Sequence, residues 1–137
     1  MSQLERLAYV SRATVPMDAL LNIAEILAAS QRNNWRDGIT GALAYADGEF
    51  LQVVEGPQEA VNRLLARVSA DARHEDLKVV SREIAAQRQF PDWSMAMPRL
   101  SPDSEPLMRA AVQVARSDPG KAVADLRRLT EIDALHA

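Results

Sequence analysis

The sequence predicts an α+β fold, in the order β-α-β-β-α-β-β followed by two more helices. Three observations carry it. Apolar residues alternate between strand-like runs and the i, i+3, i+4 spacing of amphipathic helices. An Asp47-Gly48 pair separates two strand-like runs, which is a hairpin signal. Beyond Pro98 the pattern is helical only.

Leu4 to Ser11 (LERLAYVS) is a short apolar run and reads as the first strand. From Met17 to about Asn33, Leu20, Leu21, Ile23, Ala24, Leu27 and Ala28 fall on one helical face, and Pro16 stands near its start, where proline is tolerated. Gly38–Tyr45 and Glu49–Glu55 form the hairpin, whose turn needs positive φ at its centre, and Gly56-Pro57 ends it. Gln58 to Ser69 is a second helix through Val61, Leu64, Leu65 and Val68. Leu77–Ile84 reads as a strand, and Phe90–Met97 as a short irregular one. Leu107–Arg116 and Ala122–Leu135 are helical, the latter behind an Asp118 N-cap and a proline at the first helical position. The first six elements match the ferredoxin-like split βαβ motif, a sheet with two helices on one face. Connection rules place the first strand beside the third. Residues 1–98 read as one domain. Residues 99–137 read as a helical extension that must pack on the sheet or on a partner.

The 137 residues, 47% hydrophobic and 26% charged, suit one globular domain with a real core. Sixteen Lys+Arg against nineteen Asp+Glu give a net charge of −3, without the footprint of a nucleic-acid binder. The absence of cysteine excludes disulfides, thiolate zinc sites and thiol catalysis, and with two histidines no metal site is expected. No apolar run reaches membrane-spanning length and no signal-peptide pattern opens the chain, so a cytoplasmic location is expected.

The candidate site residues follow from strand parity. On the third strand Phe50, Gln52 and Val54 share one face, and Leu51, Val53 and Glu55 share the other. A central strand is covered on both sides, so Gln52 is either a buried amide that needs partners or an edge amide satisfied by water. Leu7, Tyr9 and Ser11 share a face of the first strand. Tyr9 can therefore meet Gln52 on a neighbouring strand, or be an amphipathic core tyrosine with its hydroxyl at the rim. Trp93 and Met95 share parity on the last strand, and a stripe of this kind is by itself a core feature. Asn33 and Asn34 close the first helix, as a cap or as amides aimed at a planar ligand edge. Asp71-Ala72-Arg73-His74 follows the second helix, where a solvated loop is the ordinary role. No nucleophile–base spacing, phosphate-binding glycine loop or paired-carboxylate signature is present.

Taken in order, several of these segments resemble the BLUF family of blue-light photoreceptors that use FAD. The matching pieces are Tyr9-Val10-Ser11, Ser30-Gln31-Arg32-Asn33-Asn34, Gly38-Ile39-Thr40-Gly41, Asp47-Gly48 through Gly56-Pro57, Asp71-Ala72-Arg73-His74, and Phe90-Pro91-Asp92-Trp93-Ser94-Met95. They span about Leu4 to Met97. The C-terminal helix pair looks like that of short BLUF proteins without a fused output domain.

The resemblance implies a flavin held between the two helices on one sheet face. It makes Tyr9 the light-responsive tyrosine and Gln52 the switching glutamine, with Ser11, Trp93 and Met95 around Gln52. Asn34 would bond the ring's C4 carbonyl and N3 edge, with Asn33 beside it. Arg73 would approach the C2 carbonyl, with His74 and Asp71 near that side. Ile26, Leu27 and Phe50 would be apolar walls. FAD is the implied cofactor, with FMN or riboflavin as substitutes in recombinant protein. The implied chemistry is an electron from Tyr9 and a proton through Gln52, which is left rotated or tautomerised. The result is a small red shift and no catalysis. The missing cysteine excludes the other common flavin light sensor, which forms a cysteine adduct. The expected partner is a downstream effector, of the phosphodiesterase, response-regulator-like or transcription-regulator kind. A homo-oligomer, dimer or larger, is also expected, with no nucleic acid or membrane partner. The alternatives are a ferredoxin-like protein–protein interaction module without active photochemistry, and a small ligand-binding or phosphatase-like enzyme. An RNA-binding use is disfavoured by the acidic charge and the aromatic-poor sheet.

Overall fold

The computed structural model describes residues 3–14, 38–72, 74–90, 94–96 and 104–135, with the backbone alone for 94–96 and 132–135. The helix expected from Met17 to Asn33 lies outside the described residues. Within them the chain runs β1 (Leu4–Ala13), β2 (Thr40–Ala46), β3 (Glu49–Pro57), α1 (Gln58–Ser69), β4 (His74–Ile84), β5 (Ser94–Ala96), α2 (Glu105–Val114) and α3 (Pro119–Leu135).

The five strands form one sheet in the order β4-β1-β3-β2-β5. The first four are antiparallel neighbours, the ferredoxin-like arrangement, with β1 and β3 at the centre. β5 joins β2 in parallel through two residue pairs, Gly41 with Ser94 and Ala42 with Ala96. Of the Phe90–Met97 run expected as a strand, Ser94–Ala96 is β5, Phe90 lies outside it, and residues 91–93 and 97 fall outside the described residues; β4 begins three residues earlier than expected. Asp47 and Gly48 turn the β2–β3 hairpin with φ of 54° and 80°. Positive φ at both central residues matches the right-handed twist of the flanking strands, which is why Asp-Gly is favoured there.

Alternation along β1 and β3 sorts the core into two layers. Leu7, Tyr9, Leu43, Phe50 and Val54 pack against Ala60, Val61 and Leu64 of α1 on the first face. Ala8, Val10, Ala42, Ala44, Leu51 and Val53 pack against Met108, Ala111, Val112, Leu126 and Leu129 of α2 and α3 on the second. The C-terminal helices therefore bury their apolar stripes against the sheet, the only way short helices like these gain stability. The Asp118 side chain accepts from the Lys121 amide at 3.1 Å and caps α3.

Candidate functional site

The site grows out of the β1–β3 ladder. Tyr9 and Gln52 are direct partners in its register, and both side chains are buried on the first face. The Tyr9 hydroxyl donates to Gln52 Oε1. A phenol and an amide that would each be costly to bury alone thus satisfy each other. Burial pushes the Tyr9 phenol well above its ordinary value, and the negative charge of Asp71 adds to the rise. The proton consequently stays on Tyr9, on the side that donates to Gln52.

His74 at the start of β4 closes the cluster. Its Nδ1 lies 2.7 Å from Ser11 Oγ, and its Nε2 lies 2.5 Å from the Val68 carbonyl oxygen. A carbonyl only accepts, so Nε2 carries a hydrogen. In the neutral ring Nδ1 then accepts from the Ser11 hydroxyl. The Val68 carbonyl also takes the Asp71 amide at 3.2 Å, so one carbonyl in the C-terminal turn of α1 serves both that turn and the site. The His74 ring stands 6.3 Å from both Tyr9 and Phe50, edge-on to Phe50. Phe50 in turn leans on Tyr45 with ring centroids 5.2 Å apart. Register shifts in the β1–β4 pairing fall next to Tyr9 and Ser11, where bulges commonly re-aim side chains.

Of the residues singled out in the sequence, Tyr9, Ser11, Phe50, Gln52 and His74 therefore converge on one face, and Asp71 acts on Tyr9 through its charge. Ile26, Leu27, Asn33, Asn34, Arg73 and Trp93 lie outside the described residues, as does the side chain of Met95. The Val68 carbonyl went unforeseen, because a backbone acceptor leaves no signature in side-chain identity. So did the surroundings of Glu55, a fully buried carboxylate on the second face. Its signal was available: a charged residue at an inward position of a central strand must find partners.

Among the described residues no group of side chains could hold a metal ion, and no helix is long and apolar enough to cross a membrane. The donor set suits a planar heterocycle instead. An amide, a phenol, a hydroxyl and an imidazole converge among aromatic and aliphatic neighbours, the mixture by which pockets orient flat ligands.

Fold and site together define a ferredoxin-like α+β module with a buried, hydrogen-bonded phenol–amide pair between its two central strands. The family model described as "Sensors of blue-light using FAD", BLUF, matches residues 4–96. The chain belongs to the BLUF family and is a flavin-based blue-light sensor whose cofactor is FAD. It is 34% identical over 117 residues to the photoactivated adenylate cyclase subunit beta of Euglena gracilis, covering 83% of this chain and 14% of that protein. The chain thus spans about a seventh of the length of the curated relatives it matches. Among solved structures, the BLUF protein BlrB in its dark state is 35% identical with a TM-score of 0.76, covering 98% of both chains. BlsA in its photo-activated state is 26% identical with a TM-score of 0.78, covering 90% of this chain and 94% of that one. A bacterial light-regulated adenylyl cyclase is 31% identical with a TM-score of 0.71, covering 85% of this chain and 34% of that one.

Proposed function

We propose that this chain senses blue light by rearranging the Tyr9–Gln52–flavin hydrogen bonds, with Gln52 rotated or tautomerised, and hands the change to a separate effector. The observation that supports it most is the buried phenol-to-amide bond between the two central strands. When bound, the flavin supplies blue-light absorption and excited-state electron acceptance. The chain's own residues supply the two states. In one, Tyr9 donates to Gln52 Oε1, and Nε2 is the end of the amide that can donate elsewhere. In the other, the reversed or tautomerised amide releases that bond and presents its opposite end. Each arrangement satisfies the groups, whereas a half-turned amide leaves buried partners unpaired. That is a bistable element, as a switch requires.

Around the pair, Asn34 and Asn33 would hold the ring edge. Arg73, His74 and Asp71 would lie on the opposite carbonyl side, and Ile26, Leu27 and Phe50 would wall the ring. Ser11, Trp93 and Met95 would surround Gln52. The relay from Ser11 through His74 to the Val68 carbonyl supports a fixed orientation for His74. Residues 1–98 would form the sensor and 99–137 the extension that carries the change onward. The relatives named above include light-regulated cyclases, which supports coupling to an effector rather than catalysis by the sensor itself. A homo-oligomer, dimer or larger, and a cytoplasmic location complete the reading.

The deciding measurement is a light-minus-dark absorption spectrum of the FAD-loaded protein. A reversible red shift of the flavin band is expected. Saturated protein with no shift under illumination refutes the switch.

A further inference from the structure

Residues 85–90, which follow β4, are not part of the sheet, so their backbone groups must be satisfied otherwise. The Ala85 amide goes to the Leu4 carbonyl at 2.9 Å, and three further groups go to charged side chains. The Gln87 carbonyl accepts from Arg6 at 3.0 Å. Arg88 donates to the Gly38 carbonyl at 2.8 Å, to Thr40 Oγ1 at 2.7 Å and to the Glu55 carbonyl at 2.9 Å. The next two amides converge on one carboxylate. Gln89 N–H reaches both Glu55 oxygens at 2.9 Å, and Phe90 N–H reaches Oε1 at 2.7 Å. Arg6 Nε completes the set on Oε2 at 2.8 Å.

Glu55 is fully buried, and a buried charge is kept at a cost that apolar packing would avoid. What it secures is a position. Two successive amides are pinned to β3, and Phe90 is held in the layer between the sheet and α2 and α3. Glu55 sits three residues from Gln52 on the same strand, about 10 Å along it, and faces the opposite side.

We propose that Glu55 is a positioning residue through which a rearrangement at Gln52 reaches Phe90 and the C-terminal helices. β3 is the shared rod: one end of the short span meets Tyr9, and the other holds the connection into β5. This proposal rests on the light-switch reading above.

The test uses the FAD-loaded full chain, in light and in dark, with two readouts. One is the flavin difference spectrum. The other is amide hydrogen exchange at Gln89, Phe90 and residues 105–114. In the wild type, light should change exchange at those amides by about tenfold, the equivalent of one decade in an opening equilibrium. Glu55→Gln preserves shape but removes the charge. It should keep the red shift and lose the light dependence at 105–114. Should Glu55→Gln fail to fold, Gln89→Pro deletes one of the two donors while leaving Glu55 and Arg6 paired, and should weaken the same response.

A wild type with a normal red shift but light-insensitive exchange at these amides overturns the proposal and leaves the switch standing. A variant with the wild-type light response at 105–114 also overturns it. A wild type with no red shift removes the proposal together with the reading beneath it.

Discussion

Tyr9 and Gln52 stand opposite each other in the β1–β3 ladder, with the phenol donating to the amide carbonyl inside the first-face core. Removing the hydroxyl leaves an amide that has lost a buried partner. Tyr9→Phe should therefore destabilise the protein by about 1–3 kcal/mol, the usual cost of an unpaired buried acceptor. It should retain flavin and show no red shift. Gln52→Leu should likewise bind flavin without shifting. Chemical denaturation and the light-minus-dark spectrum check both. Either variant shifting like the wild type would remove the pair from the mechanism.

The raised Tyr9 phenol gives stability a definite pH dependence. Its proton is held more tightly in the folded chain than in the unfolded one, where the ordinary value is about 10. Below that value both states are protonated and the contribution is fully present. Above it the unfolded chain loses its proton first, so stability falls as pH rises. Thermal midpoints measured between pH 9 and 11 should drop more steeply for the wild type than for Tyr9→Phe. Parallel curves would contradict this.

Ser11 and His74 should behave as a coupled pair. Ser11→Ala is expected to cost about 1 kcal/mol, the net value of a hydrogen bond. Combining it with His74→Phe should cost less than the sum of the single changes, because each already removes the shared bond. A double-mutant cycle by urea denaturation measures the difference, and strict additivity would dissolve the relay.

The packing of α2 and α3 on the sheet is testable through Leu126, which is fully buried in the second-face layer. Leu126→Ala should cost about 2–5 kcal/mol. Arg116, just beyond α2, half exposed and paired with Glu49 of β3 at 3.0 Å, should by contrast contribute less than about 1 kcal/mol. Urea midpoints that reverse this ranking would place the helices elsewhere in solution.

Strand parity carried much of the core geometry. Phe50, Gln52 and Val54 could be assigned to one face and Leu51, Val53 and Glu55 to the other because side chains alternate with period two whatever the tertiary context. The Asp47-Gly48 turn was equally legible, since its positive φ values restrict the residues that can occupy it. The early start of β4 at His74 was not. His74 ends the Asp71–His74 tetrad, whose ordinary role is a solvated loop, and the pairing of His74 with Ala13 and of Glu75 with Arg12 depends on distant register rather than local preference. That Glu55 needs partners was legible from its inward place on a central strand, but which ones was not, since Arg6, Gln89 and Phe90 are scattered along the chain.

The strand order also dictates a sequence of assembly. β1 precedes every element that covers it: β3 beside it, β4 on its other edge, α2 and α3 over its second face. At about 5–20 residues per second, several seconds of synthesis separate β1 from its last partners. An apolar strand meanwhile waits unpaired, which invites capture by other chains or by chaperones. The β2–β3 hairpin, closed by a two-residue turn, can form within microseconds and offer β3 as the first template.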